Sequence, residues 1–415
     1  MRATYISLLA LFFSCFILLL GNGLLNVLLP VRMGLDGVSI DTIGMVLSLY
    51  FVGLLIGALY SIYLIRRVGH IRMFAGCVAL GAISVLLYSI YPSIVLLAIM
   101  RIIIGFCNAC AFTAMESWLS DSSTKKNRGK MLAVYNSVVL CGLFGGQFFM
   151  GLAQPQQATL FVLVGILLCA SVIPLVFSRH TGPAIKDVAA MSLFALYRIS
   201  PLGVVTCFIS GLIYSAIFNL LPVFALQYNI VEFQLSLYMG AAIFGAFLLQ
   251  FPVGYFSDRY DRRSVLLILL CISVLADIAV VQFVSLNMIP ALFIVTALTS
   301  GIIACTYPLS ISEAFDRLKK TEMAAAMGSM ILAFALGGII GPYSTSLMMS
   351  QFGVNAMFYF MALVQFLLAL FVIYRMTKRQ SLPNDEQEVF VMHSPAISPA
   401  IEFDPRTELE PDNKQ

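Results

Sequence analysis

Residues 100–118 read MRIIIGFCNACAFTAMESW, a run apolar enough to lie in lipid that nonetheless carries Arg101 and Glu116. An arginine at mid-membrane costs about 2.5 kcal/mol or more on insertion scales, and neighbours such as Gly105, Cys107 and Ala109 do nothing to offset it. Something polar must face the charge. Successive helical residues turn by about 100°, so Arg101, Gly105, Asn108, Phe112 and Glu116 share a stripe roughly 60° wide. At about 1.5 Å per residue the two charges stand about 22 Å apart along the axis, too far to pair. Two readings of Arg101 stay open. It faces a central cavity, binding an anionic or polar group of a solute or organising a coupling site; or it snorkels to the nearer surface, about eight residues away.

The same apolarity runs through most of the chain. Of 415 residues, 60% are hydrophobic and 11% charged, and the mean hydropathy is +0.97, far above that of soluble domains. Runs of about 20 apolar residues, the length that crosses about 30 Å of hydrocarbon as a helix, recur at 5–30, 41–65, 72–91, 93–118, 130–153, 158–178, 201–226, 233–257, 264–285, 289–313, 322–349 and 354–375. They predict twelve transmembrane helices, spans 1 to 12. Transmembrane strands would need alternating ten-residue patterns, which these runs lack. The first run continues from Arg2 to Pro30 with no small-residue cleavage site, so it reads as a span rather than a leader. All nine cysteines fall in spans, which does not indicate a disulfide scaffold. The C-x-x-C of Cys107 and Cys110 has nothing nearby in sequence to complete a zinc site. No metal and no cofactor are expected, the proton being the one candidate coupling ion.

Basic residues resist translocation, so their distribution orients the spans. Twenty-two of the twenty-four Lys and Arg lie before span 1, after span 12 or in loops after even-numbered spans, leaving Arg32 in an opposite loop and Arg101 within span 4. Both termini are therefore expected on the cytoplasmic side. The net charge of +4 then needs no nucleic-acid partner. The expected partners are the lipid bilayer and a small-molecule substrate, with the chain a monomer. The segment 376–415 is acidic and dotted with Pro383, Pro395, Pro399, Pro405 and Pro411, a composition that buries little surface. It is expected to be a disordered cytoplasmic tail.

The chain also resembles itself. A shift of 192 residues lays Leu28, Leu29, Pro30 and Val31 on Leu220, Leu221, Pro222 and Val223, Gly53 on Gly245 and Arg67 on Arg259. A shift of 196 lays Gly105 on Gly301, Met131 on Met327, Gly142 on Gly338 and Gly145 on Gly341. Two nearby offsets that agree across several spans point to a duplicated unit. The domain reading is a six-helix bundle at 1–178, an inter-bundle loop at 179–200, a second six-helix bundle at 201–375 and the tail beyond. Six spans return the chain to the side it left, so the halves lie parallel.

At this point several motifs resemble those of the major facilitator superfamily of secondary transporters. GYFSDRYDRR (Gly254–Arg263) resembles its G-x-x-x-D-R-x-G-R-R loop, with Asp261 where a glycine is usual, and RIIIGFCNA (Arg101–Ala109) resembles its R-x-x-x-G motif. ESWLSD followed by NRGK resembles the exit from that helix. RRVGHIR (Arg66–Arg72), ESWL (Glu116–Leu119), NRGKMLAVY (Asn127–Tyr135) and YPLSI (Tyr307–Ile311) are similar to the YcaD-like branch of bacterial carriers. The resemblance covers roughly residues 5–375. It implies an all-α membrane protein of the bacterial inner membrane whose two pseudo-symmetric bundles rock about a central site by alternating access. Spans 1, 4, 7 and 10 would line that site, spans 2, 5, 8 and 11 would support it, and the others would face lipid. It also implies gating loops built on Arg66 and Arg67 in one half and on Gly254, Asp258, Arg259, Arg262 and Arg263 in the other.

Departures from the pattern sharpen the expectations. Arg66 stands where the second half has Asp258, so pseudo-symmetry pairs Arg66 with Glu322 at the start of span 11 when the cytoplasmic side is closed. By the same symmetry Asp258 belongs near the start of span 5, around Arg128–Lys130. GLFGGQ (Gly142–Gln147) lacks the Gly-Pro that a drug antiporter requires there, which weakens that reading.

The candidate cavity residues are Asn22 and Asn26, Arg101, Asn108 and Glu116, Gln147, Tyr214 and Asn219, Gln250, Thr299 and Tyr307, because buried polar groups need partners, water or solute. Glu116 and Glu313, near matching exits, are candidates for gating or proton linkage. Asp277, in a span expected to be peripheral, reads either as a hydrogen bond to a neighbouring helix or as a proton carrier. Glycines 53, 57, 142, 145, 146, 337, 338 and 341 are expected where the bundles slide past each other. No G-x-x-x-x-G-K-[ST] phosphate loop occurs, so energy must come from a gradient, and no nucleophile, base and orienting group lie at compatible depths for an enzyme. The leading reading is a proton-coupled secondary active transporter of a small solute. The alternatives are an uncoupled facilitator, an efflux carrier of amphipathic compounds, or a non-transporting receptor or scaffold.

Overall fold

The computed structural model describes residues 2–123, 127–177, 191–380, 382–383, 386–393, 404 and 406. Among the described residues twelve apolar helices are of membrane-crossing length: Leu8–Leu35, Ile40–Val68, His70–Ile90, Ile94–Asp121, Arg128–Leu152, Thr159–Val176, Pro201–Gln227, Glu232–Ser257, Arg262–Ser285, Ile289–Phe315, Lys320–Phe352 and Ala356–Lys378. They are the twelve spans read from hydropathy. Local chemistry explains their interruptions. Gly69, at φ 85°, turns the chain between spans 2 and 3, a conformation open to a residue without Cβ. Span 8 breaks at Leu249, between Glu232–Leu248 and Gln250–Ser257, because Pro252 has no N–H for the Leu248 carbonyl and its ring crowds that oxygen.

Two bundles result, and five pairings recur in both, while span 7 also packs closely on span 10 where spans 1 and 4 barely touch. In the first, span 1 packs on 5 and 6, span 2 on 4, and span 3 on 4 and 6; in the second, span 7 packs on 11 and 12, span 8 on 10, and span 9 on 10 and 12. The duplication legible in sequence is thus repeated as packing. Its glycines sit at the tightest crossings within each bundle. Gly53 faces the Ile102 carbonyl and Gly105 the Tyr50 carbonyl, while Gly245 faces the Ala297 carbonyl and Gly337 the Phe208 carbonyl. This corrects the expectation that the glycine clusters mark sliding surfaces. Gly57, Gly142, Gly146 and Gly341 also face helices of their own bundle, and Gly145 meets only Leu20, whereas Gly338 packs across the divide on Phe51. Small residues here let backbones approach, the usual basis of helix association in lipid.

Span 1 starts and span 12 ends on one face, the terminal face; the opposite is the far face. Across the divide, spans 2 and 11, 5 and 8, and 1 and 7 are in contact. The bundles close on the far face. There the Tyr343 N–H donates to Ser48 Oγ (3.1 Å) and Ser236 Oγ donates to the Gln147 carbonyl (2.9 Å), while Gly44 abuts Ser346 and the Pro342 carbonyl.

On the terminal face the tail lies between them. Phe390, Val391, His393, Asp404 and Arg406 are buried, against the expectation of a disordered tail. Prolines and acids dominate the composition of this segment, but the short apolar run Val389–Met392 is enough to dock it. Tail residues 394–403 and 407–415 lie outside the described residues, as does 178–190 of the inter-bundle segment. The rest of that segment includes a short helix, Leu193–Ile199, whose N-cap Ser192 accepts from the Ala195 N–H. Its leading residue is held to span 11: Ser329 Oγ donates to the Met191 carbonyl at 2.6 Å.

Candidate functional site

A cavity of about 80 Å³ lies between the bundles, lined from the first by Asn22, Asn26, Tyr50, Arg101, Asn108 and Gln147 and from the second by Tyr214, Phe218 and Asn219, with apolar residues between them. That is room for several waters rather than a metabolite, so a solute must widen it on entry. Seven of the eleven candidate cavity residues are brought together here: Asn22, Asn26, Arg101, Asn108, Gln147, Tyr214 and Asn219.

Arg101 sits at the centre of the arrangement. It is 2% exposed and lines the cavity, which removes the snorkelling alternative. Its guanidinium carbon lies 4.8 Å from the Tyr50 ring centroid, within range of a cation–π attraction. Nη2 is 3.4 Å from both the Leu47 carbonyl and Asn219 Oδ1, at the long, weak end of hydrogen bonding. Nε has no partner among the described residues. Among the described residues no carboxylate lines the cavity. The charge is therefore buried, loosely held and unneutralised within the cavity, and such a group favours an acceptor or an anion.

Around it the amides form a chain. Asn108 Nδ2 donates to Asn22 Oδ1 at 3.1 Å and is 3.3 Å from the Tyr50 hydroxyl. Asn219 Nδ2 donates to the Ser215 carbonyl at 2.8 Å, leaving its Oδ1 toward Arg101. Gln147 Nε2 donates to the Gly23 and Leu143 carbonyls, both at 3.0 Å, tying span 5 to span 1. Helical spacing delivers Asn22 with Asn26, and Arg101 with Asn108, to one wall each.

The other four candidates lie elsewhere. Glu116, 1% exposed, accepts from the Tyr135 hydroxyl at 3.2 Å, so the lower end of the stripe turns into the first bundle. Gln250 donates to the Ala246 carbonyl of its own span at 3.0 Å. Tyr307 packs on Phe334, centroids 4.8 Å apart, and is 2% exposed. Thr299 donates to Asp277 Oδ1 at 2.6 Å, while Gln365 Nε2 donates to Oδ2 at 2.6 Å. Asp277 thus ties spans 9, 10 and 12 together, the hydrogen-bonded one of its two readings. Replacing Asp277 by leucine strands both donors, and each buried group left unmade costs about 1–3 kcal/mol. The variant is expected to lose thermal stability in detergent, whereas a proton-carrying role would instead remove gradient-driven accumulation at unchanged stability.

The candidate gate groups split in the same way. Arg66 and Arg67 are exposed at the terminal end of span 2. The expected pair with Glu322 is not formed in this conformation, since that carboxylate accepts from the Lys319 N–H and caps its own helix. Asp258 does not meet the start of span 5; its Oδ1 accepts from the Phe390 N–H at 2.7 Å, and the Phe390 ring covers Gly254. Arg259 stacks on Tyr255. Arg262 Nε lies 2.8 Å from Asp316 Oδ2, a buried ion pair, and Arg263 Nε lies 3.3 Å from Asp261. Burial pushes Asp316 up to about 6, against the opposing pull of Arg262. Glu313 pairs with Arg317 at 3.1 Å one turn on rather than across the divide.

Sequence reasoning missed Tyr50 and Asp316. Tyr50 stands on a span assigned a supporting role, and only the close crossing of spans 2 and 4 at Gly105 swings its ring under Arg101. Asp316 reads as an ordinary loop acid until Arg262 is brought to it by the fold.

Comparison with known proteins agrees with this architecture. The model of the Major Facilitator Superfamily matches residues 11–247 and 203–403. The MFS-type transporter YcaD of Escherichia coli strain SE11 is 28% identical over 367 residues, 86% of this chain and 92% of its own length. The YcaD of Salmonella arizonae is similar to the same degree, 28% over 367 residues, with the same 86% and 92% covered. Among solved structures, the nucleoside transporter NupG superposes with a TM-score of 0.73 at 14% identity, over 90% of this chain and 100% of that one. A bacterial homologue of the human lysosomal transporter Spinster, solved inward-facing and occupied, gives 0.72 at 15% identity, over 92% and 97%.

Proposed function

The chain belongs to the Major Facilitator Superfamily, and from that membership we propose that it is a secondary transporter that moves a small polar or anionic solute by alternating access. The observation that carries the substrate class is Arg101: a buried cation, without a carboxylate in its cavity, shared through Asn219 with the opposite bundle. A solute carboxylate, phosphate or sulfonate would take the place of water against the guanidinium, with Tyr50 and the Asn22–Asn108 pair beside it. The terminal face is cytoplasmic on the distribution of basic residues, in the inner membrane of a bacterium, and the conformation described is then the inward-facing one. The solute class of NupG is not carried over, because the likeness is one of fold. Counterflow of labelled solute in proteoliposomes tests the reading: an alternating site exchanges solute across a membrane with no gradient, and a receptor does not. Candidate solutes come from thermal-shift screening of anionic metabolites, since a ligand stabilises only the state it binds.

Coupling to protons rests on Glu116. It shares span 4 with Arg101 and is withdrawn from water beside Tyr135, where gain or loss of one proton changes the local charge outright. Glu116→Gln is expected to retain counterflow but to lose accumulation driven by a pH gradient. Unchanged accumulation in that variant would make the carrier uncoupled or place the proton elsewhere.

A further inference from the structure

Spans 5 and 8 touch directly in their far-face halves, where Ser236 bonds the Gln147 carbonyl. In their terminal halves, the hydrogen bonds that link the same two spans among the described residues run through the tail. Asn136 Nδ2 of span 5 donates to the Met392 carbonyl at 2.6 Å. Two residues earlier, the Phe390 N–H donates to Asp258 at the end of span 8, and its ring joins Val253, Leu266 and Leu270 of the second bundle. Val391, between them, joins the apolar cluster that draws on both bundles. Three consecutive tail residues therefore span the divide.

Both flanks are pinned. Upstream, the Glu388 N–H donates to Asp316 Oδ1 at 2.9 Å, and its carboxylate lies 4.0 Å from Lys320 Nζ. Downstream, Arg406 donates to Ser312 Oγ at 3.0 Å and lies over the Phe315 ring, 4.6 Å from its centroid. Asp404 accepts from Arg406 Nη2 at 2.6 Å and lies 3.0 Å from His393 Nε2. Burial would raise the Asp404 carboxyl, but Arg406 and His393 hold it well below the usual carboxylate range. A tethered segment needs little intrinsic affinity to stay docked, because its local concentration is on the order of millimolar.

We propose that residues 386–393, with Asp404 and Arg406, form an autoinhibitory wedge: docked, they hold spans 5 and 8 apart at the terminal face and prevent the bundles from closing there. Transport then requires the wedge to leave, since closure brings Asn136 and Gly254 into the space it fills. The proposal rests on the alternating-access reading.

The test uses the full chain in nanodiscs with the native cysteines replaced by alanine. Spin labels go at two exposed terminal-face positions, Lys130→Cys on span 5 and Tyr260→Cys after span 8. With the native tail one long distance is expected. Phe390→Asp and, separately, Arg406→Ala should each raise the shorter, closed population about tenfold, and a synthetic peptide of residues 383–408 added to either should restore the long distance. A second pair at Leu35→Cys and Val231→Cys, exposed near the far face, reports bundle motion independently of the tail. If the far-face pair moves while the terminal pair ignores both tail variants, the wedge is overturned and the transporter reading stands. If neither pair moves in any variant or when the pH is changed, alternating access falls and the wedge with it.

Discussion

Arg101→Ala is expected to weaken binding of an anionic solute by about a hundredfold, near 3 kcal/mol, the range for removing one partner of a buried hydrogen-bonded charge pair. Arg101→Lys should recover only part of this. Lysine keeps the charge but presents a compact ammonium in place of a planar fork, and it stacks less well on Tyr50. The readout is the solute-induced thermal shift with each variant, alongside the Tm without solute. Without solute, Arg101→Ala should unfold no earlier than wild type, because Nε is unpartnered and the two Nη2 contacts are 3.4 Å long. Burial of so loosely held a cation is a cost relieved by its removal. Equal stabilisation of wild type and Arg101→Ala by the same anion would take Arg101 out of the binding site.

Gly105→Leu is expected to abolish folding, with folded protein falling to background. A Cβ at 105 runs into the Tyr50 carbonyl and the Leu54 amide, and span 2 cannot retreat because Gly53 meets the Ile102 carbonyl at the same crossing. Overpacking typically costs about 1–3 kcal/mol when a neighbouring side chain can shift; here the neighbour is backbone, and the two helices must separate. Fluorescence-detected size exclusion of a tagged variant reads this directly. Gly129→Leu, which faces nothing within 4 Å among the described residues, is the matched control and should elute as wild type. A well-folded Gly105→Leu protein would contradict the packing described for spans 2 and 4.

Spans and bundles were legible because hydropathy reports burial in lipid one residue at a time, and a duplicated chain repeats its signal. The cavity was half legible for a related reason. Asn22, Arg101 and Asn108 share helical faces whose period is visible, so sequence could say that they point the same way. It could not say how far down a face the cavity extends. Glu116 lies on the same stripe as Arg101 yet turns into the bundle, because Tyr135 of span 5 waits for it below the cavity floor. Thr299 and Tyr307 stand on a lining helix, but each is drawn off by a third helix, Thr299 by Asp277 and Tyr307 by Phe334. Depth and partner choice are properties of the packed bundle. The described part of the tail departs from its expectation for a different reason: a few apolar residues suffice to dock when the receiving surface already exists, and composition averages them away.

At the terminal face Arg263 of span 9 donates to the Arg379 carbonyl just past span 12, and Arg379 donates in turn to the Ile199 carbonyl at the end of the short helix. One knot thus fastens both chain segments that leave the second bundle, making that bundle the chassis from which linker and tail are hung. For imaging, an antibody fragment raised against this knot would grip the second bundle with its linker and tail attachments. It would add mass and a fiducial, whereas one raised against Asp258 or Asn136 would compete with the tail for its berth.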